Sequence, residues 1–235
     1  HPASDPSRFR FEKRTTMPSG AMVRRLAVLA VVLLGASSAA AAGPPTDDRP
    51  LPTIAGRSSV SRIEPRFSLA ASTLAGKPVD VRCWNQPDWS QLDDEWRAWT
   101  GTGLLATRGY TRKSQPGTIH LSPLICARLV AFTYSKARPT KRQARAQEDI
   151  AEAIRALAHE TQHAAGIGDE ATAECYGQQR VRPLARILGA SRDYAAFMAR
   201  VAWTKLYPLL PDSYRSPDCR NGGALDLNPL TATWP

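Results

Sequence analysis

Two histidines four residues apart, with a glutamate between them, form the part of this sequence best equipped for chemistry. They open the stretch HETQHAAGIGDEATAEC, residues 159–175, which holds two of the chain's four histidines and four acidic side chains. On a helix His159 and His163 lie on one face, so both imidazoles can reach the same cation. The intervening Glu160 then projects toward the open coordination position. Two imidazoles and a carboxylate suit zinc and leave a fourth position for water, the arrangement of metal-assisted hydrolysis. Asp169, Glu170 and Glu174 follow close behind, and which acid completes the set is open at this point.

The elements that must position these groups show in the periodicity. Ile150, Ile154, Leu157 and Thr161 follow i, i+4, i+7, i+11 and mark the buried face of a long helix that Gly166 and Gly168 end. Asp169 is placed to cap the next helix, within which Pro183 is expected to produce a bend or a break. An antiparallel pair would set Glu170 near His163 and Glu174 near His159, as a ligand and a group orienting a ligand require. A last helix is expected over 192–207, followed by a loop-like tail carrying Cys219. Upstream, alternation in KPVDVRCW (77–84) predicts a strand with Val79, Val81 and Cys83 on one side. The stretches 103–113 and 118–123 predict two more strands joined by a turn. NQPDWSQLDDEW reads as a loop with room for a short helical turn, so the early half is expected to be mostly sheet. Residues 124–135 read as helix, ended by Pro139.

Over about residues 118 to 180 the sequence resembles the zincin metallopeptidases, the family built on an H-E-x-x-H helix. That resemblance implies an α+β fold: a small N-terminal β-sheet, then a catalytic helix, an antiparallel acidic helix and a C-terminal helix. It implies zinc as cofactor and a protein or peptide as substrate, with Glu160 as the general base that takes a proton from water and passes it to the leaving amine. Two subfamily patterns compete for the third ligand. In the gluzincin-like one, Glu170-x-x-x-Glu174 supplies Glu170 as ligand and Glu174 as the partner of His159. In the metzincin-like one, His159 to Asp169 with Gly166 at the turn supplies Asp169. That pattern is normally supported by a methionine turn, and the only downstream methionine, Met198, falls in a helix-like stretch. The gluzincin-like pattern is therefore favoured, although only six residues separate His163 from Glu170, fewer than such proteins usually have. Zincins run an edge strand above the catalytic helix, which makes His120 in TIHLSP a possible substrate or oxyanion contact. Tyr176 and Tyr194 are weaker candidates for the oxyanion role.

The rest of the chain sets the context. Residues 1–42 read as an N-terminal extension and signal peptide: Arg24 and Arg25, the apolar run LAVLAVVLL at 26–34, and the small-residue site Ala40-x-Ala42. An uncleaved membrane anchor is the alternative. Residues 43–66, rich in Pro, Ser and charge, read as a flexible linker, and residues 67–235 as one metallopeptidase domain. Residues 1–42 carry a net +4 of the total +10, leaving a moderately basic remainder. It lacks the motifs or interleaved aromatics of nucleic-acid binding but is compatible with a membrane or cell-envelope surface. The basic cluster Lys136, Arg138, Lys141, Arg142 and Arg145 reads as a solvated lead-in to the metal helix, and Trp84, Trp89, Trp96 and Trp99 as packing or cleft lining. The four cysteines, none at C-x2-C spacing, predict two disulfides in a secreted protein, with three pairings open. Against the peptidase stands a non-catalytic secreted envelope protein stabilised by zinc. Glu160 favours the enzyme, because a structural zinc has no use for a base.

Overall fold

The computed structural model describes residues 61–101, 103, 107–112, 115–134, 138–140, 143–231 and 234–235. The expected signal segment, most of the expected linker, and Lys136, Lys141 and Arg142 of the basic cluster lie outside the described residues. Within them the fold is α+β, with six α-helices and a four-stranded sheet. Strand β1 (Ser61–Ile63) pairs antiparallel with β2 (Asp80–Trp84). Order has thus begun by Ser61, inside the stretch expected to be linker. Helix α1 (Pro65–Ala75) connects them, opening on Pro65 and closing on Gly76 in the left-handed conformation. It is stitched to the sheet where Ser72 and Ser68 Oγ accept from the amides of Val79 and Val81, both at 2.9 Å.

Helix α2 (Gln86–Thr100) occupies the stretch expected to be a loop with no more than a short helical turn. The acids and Pro87 obscured a sound helix signal. The Asn85 side chain caps its N-terminus by accepting from the Asp88 amide at 2.9 Å, and Trp89, Leu92 and Trp96 recur at i, i+3, i+7 on one face. With α1 and α2 in place, the early half is not mostly sheet.

Strand β3 (Gly109–Arg112) runs antiparallel to β4 (Gln115–Leu121), and β4 lies parallel to β2, giving the order β1-β2-β4-β3. The expected strand pair is present, but β4 is an inner strand and β3 forms the edge. Val81 and Cys83 of β2 and Ile119 and Leu121 of β4 face the main core, which α1, α3 (Pro123–Thr133) and α4 (Ala144–Ala164) complete. On the opposite face Trp84 and Tyr110 pack under α2 with Trp89, Leu92 and Trp96. Helices α5 (Glu170–Ile187) and α6 (Arg192–Val201) add the last layer, with Leu184 and Met198 fully buried. Met198 is thus a core residue of α6. Helix α5 continues through Pro183 to Ile187, so the proline does not divide it.

Cys83 of β2 is bonded to Cys126 of α3, and Cys175 of α5 to Cys219 of the tail. The expectation of two disulfides is met, and in the chain-entropy model closing a loop of this length stabilises the fold by about 4 kcal/mol each. No helix among the described residues is long and apolar enough to cross a membrane.

His120 points to the α2 side of β4. Its ring stacks on Tyr110 with centroids 4.6 Å apart, and its Nδ1 accepts from Trp84 Nε1 at 3.2 Å, while Nε2 is buried without a partner. Burial, then the nearby Arg82 and Arg112, lowers its pKa to about 3. A histidine neutral in the fold and chargeable in the unfolded chain destabilises as pH falls from about 6.5 toward 3, by about 1.4 kcal/mol per pH unit. Denaturant titrations at pH 7, 5.5 and 4.5 should show this slope, and His120→Gln should lack it. An unchanged slope in the variant would place the acid sensitivity elsewhere.

Candidate metal centre

Helix α4 buries the expected apolar stripe, Ile150, Ile154, Leu157 and Thr161. Its C-terminal end turns sharply. Gly166 has φ +106°, a conformation that side chains other than glycine rarely adopt, and the Ile167 amide donates to the Gln162 carbonyl at 3.0 Å. This turn aims the Ile167 carbonyl back at the helix, where it accepts from His163 Nδ1 at 2.7 Å. Bonding at Nδ1 leaves His163 Nε2 as the atom with a free lone pair.

Asp169 then caps α5, its Oδ1 accepting from the Thr172 amide at 2.8 Å and from Thr172 Oγ1 at 2.6 Å. Its neighbour Glu170, the first residue of α5, reaches the histidines. The three atoms His159 Nε2, His163 Nε2 and Glu170 Oε2 form a nearly equilateral triangle with sides of 3.0, 3.2 and 3.3 Å. Ligand atoms about 2.0–2.2 Å from a tetrahedral ion stand about 3.3 Å apart, so the donor set fits a metal ion. His159, His163 and Glu170 are the group among the described residues whose side chains could hold one. Asp169 is occupied elsewhere.

Because α5 returns antiparallel along α4, Glu174 arrives at the far side of His159, 3.1 Å separating its Oε2 from Nδ1. Glu174 is fully buried, and it is held in turn by Arg155 Nη1 at 2.6 Å and Gln178 Nε2 at 2.7 Å. His163 is therefore hydrogen-bonded at Nδ1, His159 has its Nδ1 against the Glu174 carboxylate, and both present Nε2 to Glu170. The close approach of the helices depends on Gly177, where an added Cβ would sit 3.0 Å from the Cα of His159. Backbone cannot step aside as a side chain does. Gly177→Ala should therefore cost about 1–3 kcal/mol and loosen metal binding by spreading α4 from α5, as thermal unfolding and chelator competition would show. Unaltered metal affinity would mean that the helix spacing does not set the triangle.

Glu160 lies beside the triangle, buried, with Oε2 accepting from Thr111 Oγ1 of β3 at 3.0 Å. Burial, partly offset by His159 and His163, raises its pKa above the usual carboxylate range. On the other side stands Tyr214, in a 3-10 turn (Asp212–Tyr214) of the tail, its ring centroid 5.7 Å from that of His159. Burial, then the charges of Glu170 and Glu160, pushes its phenol up to about 12, so it stays a protonated donor. The tail is fixed by the Cys175–Cys219 bond, by Gln179 pairing with the backbone of Leu225 and Leu227, and by the Tyr207 hydroxyl accepting from the Ser216 amide at 3.1 Å. Sequence reasoning missed Tyr214, Thr111 and Arg155. Nothing in PDSYRSPDC marks a site, and the tyrosine is brought in from 51 positions beyond His163 by tertiary structure alone.

A cavity of about 510 Å³ opens over His159 and Glu160, between Thr107–Gly109 at the β3 side, α4 beneath, and the segment from Leu206 to Tyr214. His120 is not among its lining residues. The cavity and the residue expected as a substrate or oxyanion contact are thus not brought together: alternation along β4 sets Ile119 and Leu121 toward the main core and His120 toward α2. Tyr176 and Tyr194 do not line the cavity either.

Compared with protein families, curated proteins and solved structures, the chain matches none. The chemistry of the site must speak for itself. Three carboxylates, Glu160, Glu170 and Glu174, face the histidine pair against one guanidinium. Burial opposes charge on His159, but Glu170 and Glu174 outweigh it and hold its pKa up at about 10. His163 is raised by Glu170 in the same way, and Glu170 itself is held well below the carboxylate range by the two rings despite burial. The raised imidazole pKa values report the negative field of these carboxylates, and a cation held by the three atoms would take the place of the protons that the rings otherwise attract.

Proposed function

We propose that this domain is a zinc-dependent peptidase of the zincin type acting outside the cytoplasm. The observation that carries the reading is the convergence of His159 Nε2, His163 Nε2 and Glu170 Oε2 at tetrahedral spacing, with the buried carboxylate of Glu160 beside them and an open cleft above. Zinc is the ion best suited to two imidazoles and one carboxylate, and when bound it supplies Lewis acidity and lowers the pKa of a coordinated water to about 7. The cysteines, the main protein rivals as zinc ligands, are all committed to disulfides. Those disulfides support an oxidising, extracytoplasmic setting, in keeping with the signal segment expected at 1–42.

The residues of the chain divide the remaining work. Glu160 receives a proton from the attacking water and returns it to the leaving amine, a transfer favoured by the upward shift that burial gives its carboxyl. Thr111 keeps that carboxylate in place from the sheet edge. Tyr214 offers its phenolic O–H to the developing oxyanion. Glu174 and Ile167 orient the two imidazoles. The edge of β3, without a strand partner among the described residues, offers backbone groups to an extended peptide lying across the cleft.

The test is zinc content and peptide hydrolysis measured side by side for the wild type and Glu160→Gln. One zinc per chain is expected in both, with hydrolysis reduced about 10²- to 10⁴-fold in the variant. Zinc without hydrolysis of a broad peptide mixture by the wild type would select a zinc-stabilised envelope protein instead.

A further inference from the structure

The groups around the metal centre come from two parts of the chain that are held in different ways. His159, Glu160, His163, Glu170 and Glu174, with Arg155 and the Ile167 carbonyl behind them, all belong to α4, α5 and the link between. These helices share the main core. Leu206 still packs on that core, but Tyr207 and the bonded Cys175 and Cys219 form a separate buried cluster, edged by Trp203, Leu210, Leu225 and Trp234. Two of its three buried members are the two cysteines.

The tail beyond Leu206 has little else to hold it. After Val201 the described residues form a π-helical turn (Ala202–Leu206) and two 3-10 turns (Tyr207–Leu209 and Asp212–Tyr214), with no further α-helix or strand. On α5 the tail is fastened at two neighbouring positions. Cys175 holds Cys219, and Gln179, one turn on, donates to the Leu225 carbonyl at 2.8 Å and accepts from the Leu227 amide at 2.7 Å. A segment without a backbone ladder, docked on a small core of its own, belongs to the low-stability end of a fold. Yet Leu209, Leu210, Pro211 and Tyr214 of this tail form one side of the cavity, and the Tyr214 ring stands against His159. The other disulfide, Cys83–Cys126, lies in the main core, and neither of its cysteines lines the cavity.

We propose that the Cys175–Cys219 bond is an assembly lock: with both residues as thiols the domain holds its metal but lacks Tyr214 and one cleft wall, and oxidation of the pair switches hydrolysis on. This is a regulation of the peptidase proposed above and rests on that reading. The step is thiol–disulfide exchange with a disulfide donor. Cys175 and Cys219 give up two electrons and two protons, one S–S bond forms in the protein, and the donor's S–S bond breaks to leave two thiols. A chain kept reduced before it reaches an oxidising compartment is thereby inactive.

Three full-length proteins test the lock: the oxidised wild type, Cys175→Ala/Cys219→Ala, and Cys83→Ala/Cys126→Ala. Each is measured for zinc content, peptide hydrolysis and hydrogen exchange of the tail amides. Cys175→Ala/Cys219→Ala should keep one zinc per chain, lose protection beyond Leu206 and hydrolyse about 10²- to 10³-fold more slowly, the effect of losing one oxyanion donor. Cys83→Ala/Cys126→Ala, which retains the lock alone, should keep its tail protected and hydrolyse when treated with glutathione disulfide but not when kept in dithiothreitol. Wild-type hydrolysis by Cys175→Ala/Cys219→Ala, a tail as protected as in the wild type, or loss of zinc together with the tail overturns the lock. Release of the tail in that variant, with no hydrolysis by the oxidised wild type, would overturn the peptidase reading and leave the bond as what seats the tail.

Discussion

Glu170→Ala should strip the metal from the protein, and Asp169→Ala should leave it bound. The two residues are adjacent in sequence and equally acidic, yet the fold gives them opposite tasks. Glu170 Oε2 lies 3.2 and 3.3 Å from the two imidazole Nε2 atoms, whereas Asp169 spends its oxygen on the first turn of α5. Removing Glu170 leaves two imidazoles alone, and metal affinity should fall by more than the ~10- to 100-fold that loss of a group behind a ligand costs. Removing the Asp169 cap should cost about 0.5–2 kcal/mol of stability and little affinity. Competition with a coloured chelator measures the first effect and thermal unfolding the second. Metal loss in Asp169→Ala with retention in Glu170→Ala would transfer the ligand role to the cap residue.

The second large effect concerns Arg155. Its guanidinium, 8 % exposed, is the cation that meets the fully buried Glu174. Arg155→Met should cost about 3–5 kcal/mol, because a carboxylate is then buried without a full cation and can only lean on His159 and Gln178. Replacing both residues, as in Arg155→Met/Glu174→Leu, should recover much of that stability, since a buried ion pair contributes little over well-packed apolar groups. It should not recover the site. His159 loses its Nδ1 partner in the double variant, and metal affinity should remain ~10- to 100-fold below wild type. Denaturant unfolding and chelator competition on the two variants separate these terms. A double variant with wild-type affinity would mean that Glu174 does not orient His159.

What the sequence made legible was local. The helix of His159 and His163 follows from its apolar stripe, the cap at Asp169 from residue type and position, and the pairing of Glu170 and Glu174 with the histidines from helical repeats of about 3.6 residues. The short link between His163 and Glu170 was the main doubt about that arrangement. Gly166 resolves it by taking a left-handed turn that brings α5 back at once. The missing pieces depend on distant parts of the chain. The carbonyl that grips His163 belongs to Ile167 and has no side-chain signature. Thr111 reaches Glu160 only because β3 is the sheet edge over α4, and Tyr214 reaches the site only because a disulfide and Gln179 fasten the tail to α5. The side of the sheet that His120 faces was not legible either, because alternation separates it from Ile119 and Leu121 but only the packing of α2 and α4 says which face meets which helix. Helix α2 is longer than the short turn expected there, because Pro87 and four acids mask three apolar residues at helical spacing.

X-ray absorption at the zinc edge of the zinc-loaded domain, with its disulfides intact, tests the metal centre most directly. The expected result is a first shell of nitrogen and oxygen only, at about 2.0–2.2 Å, with the outer-shell scattering of two imidazoles. A sulfur shell at about 2.3 Å, or a domain that takes up no zinc, would contradict it.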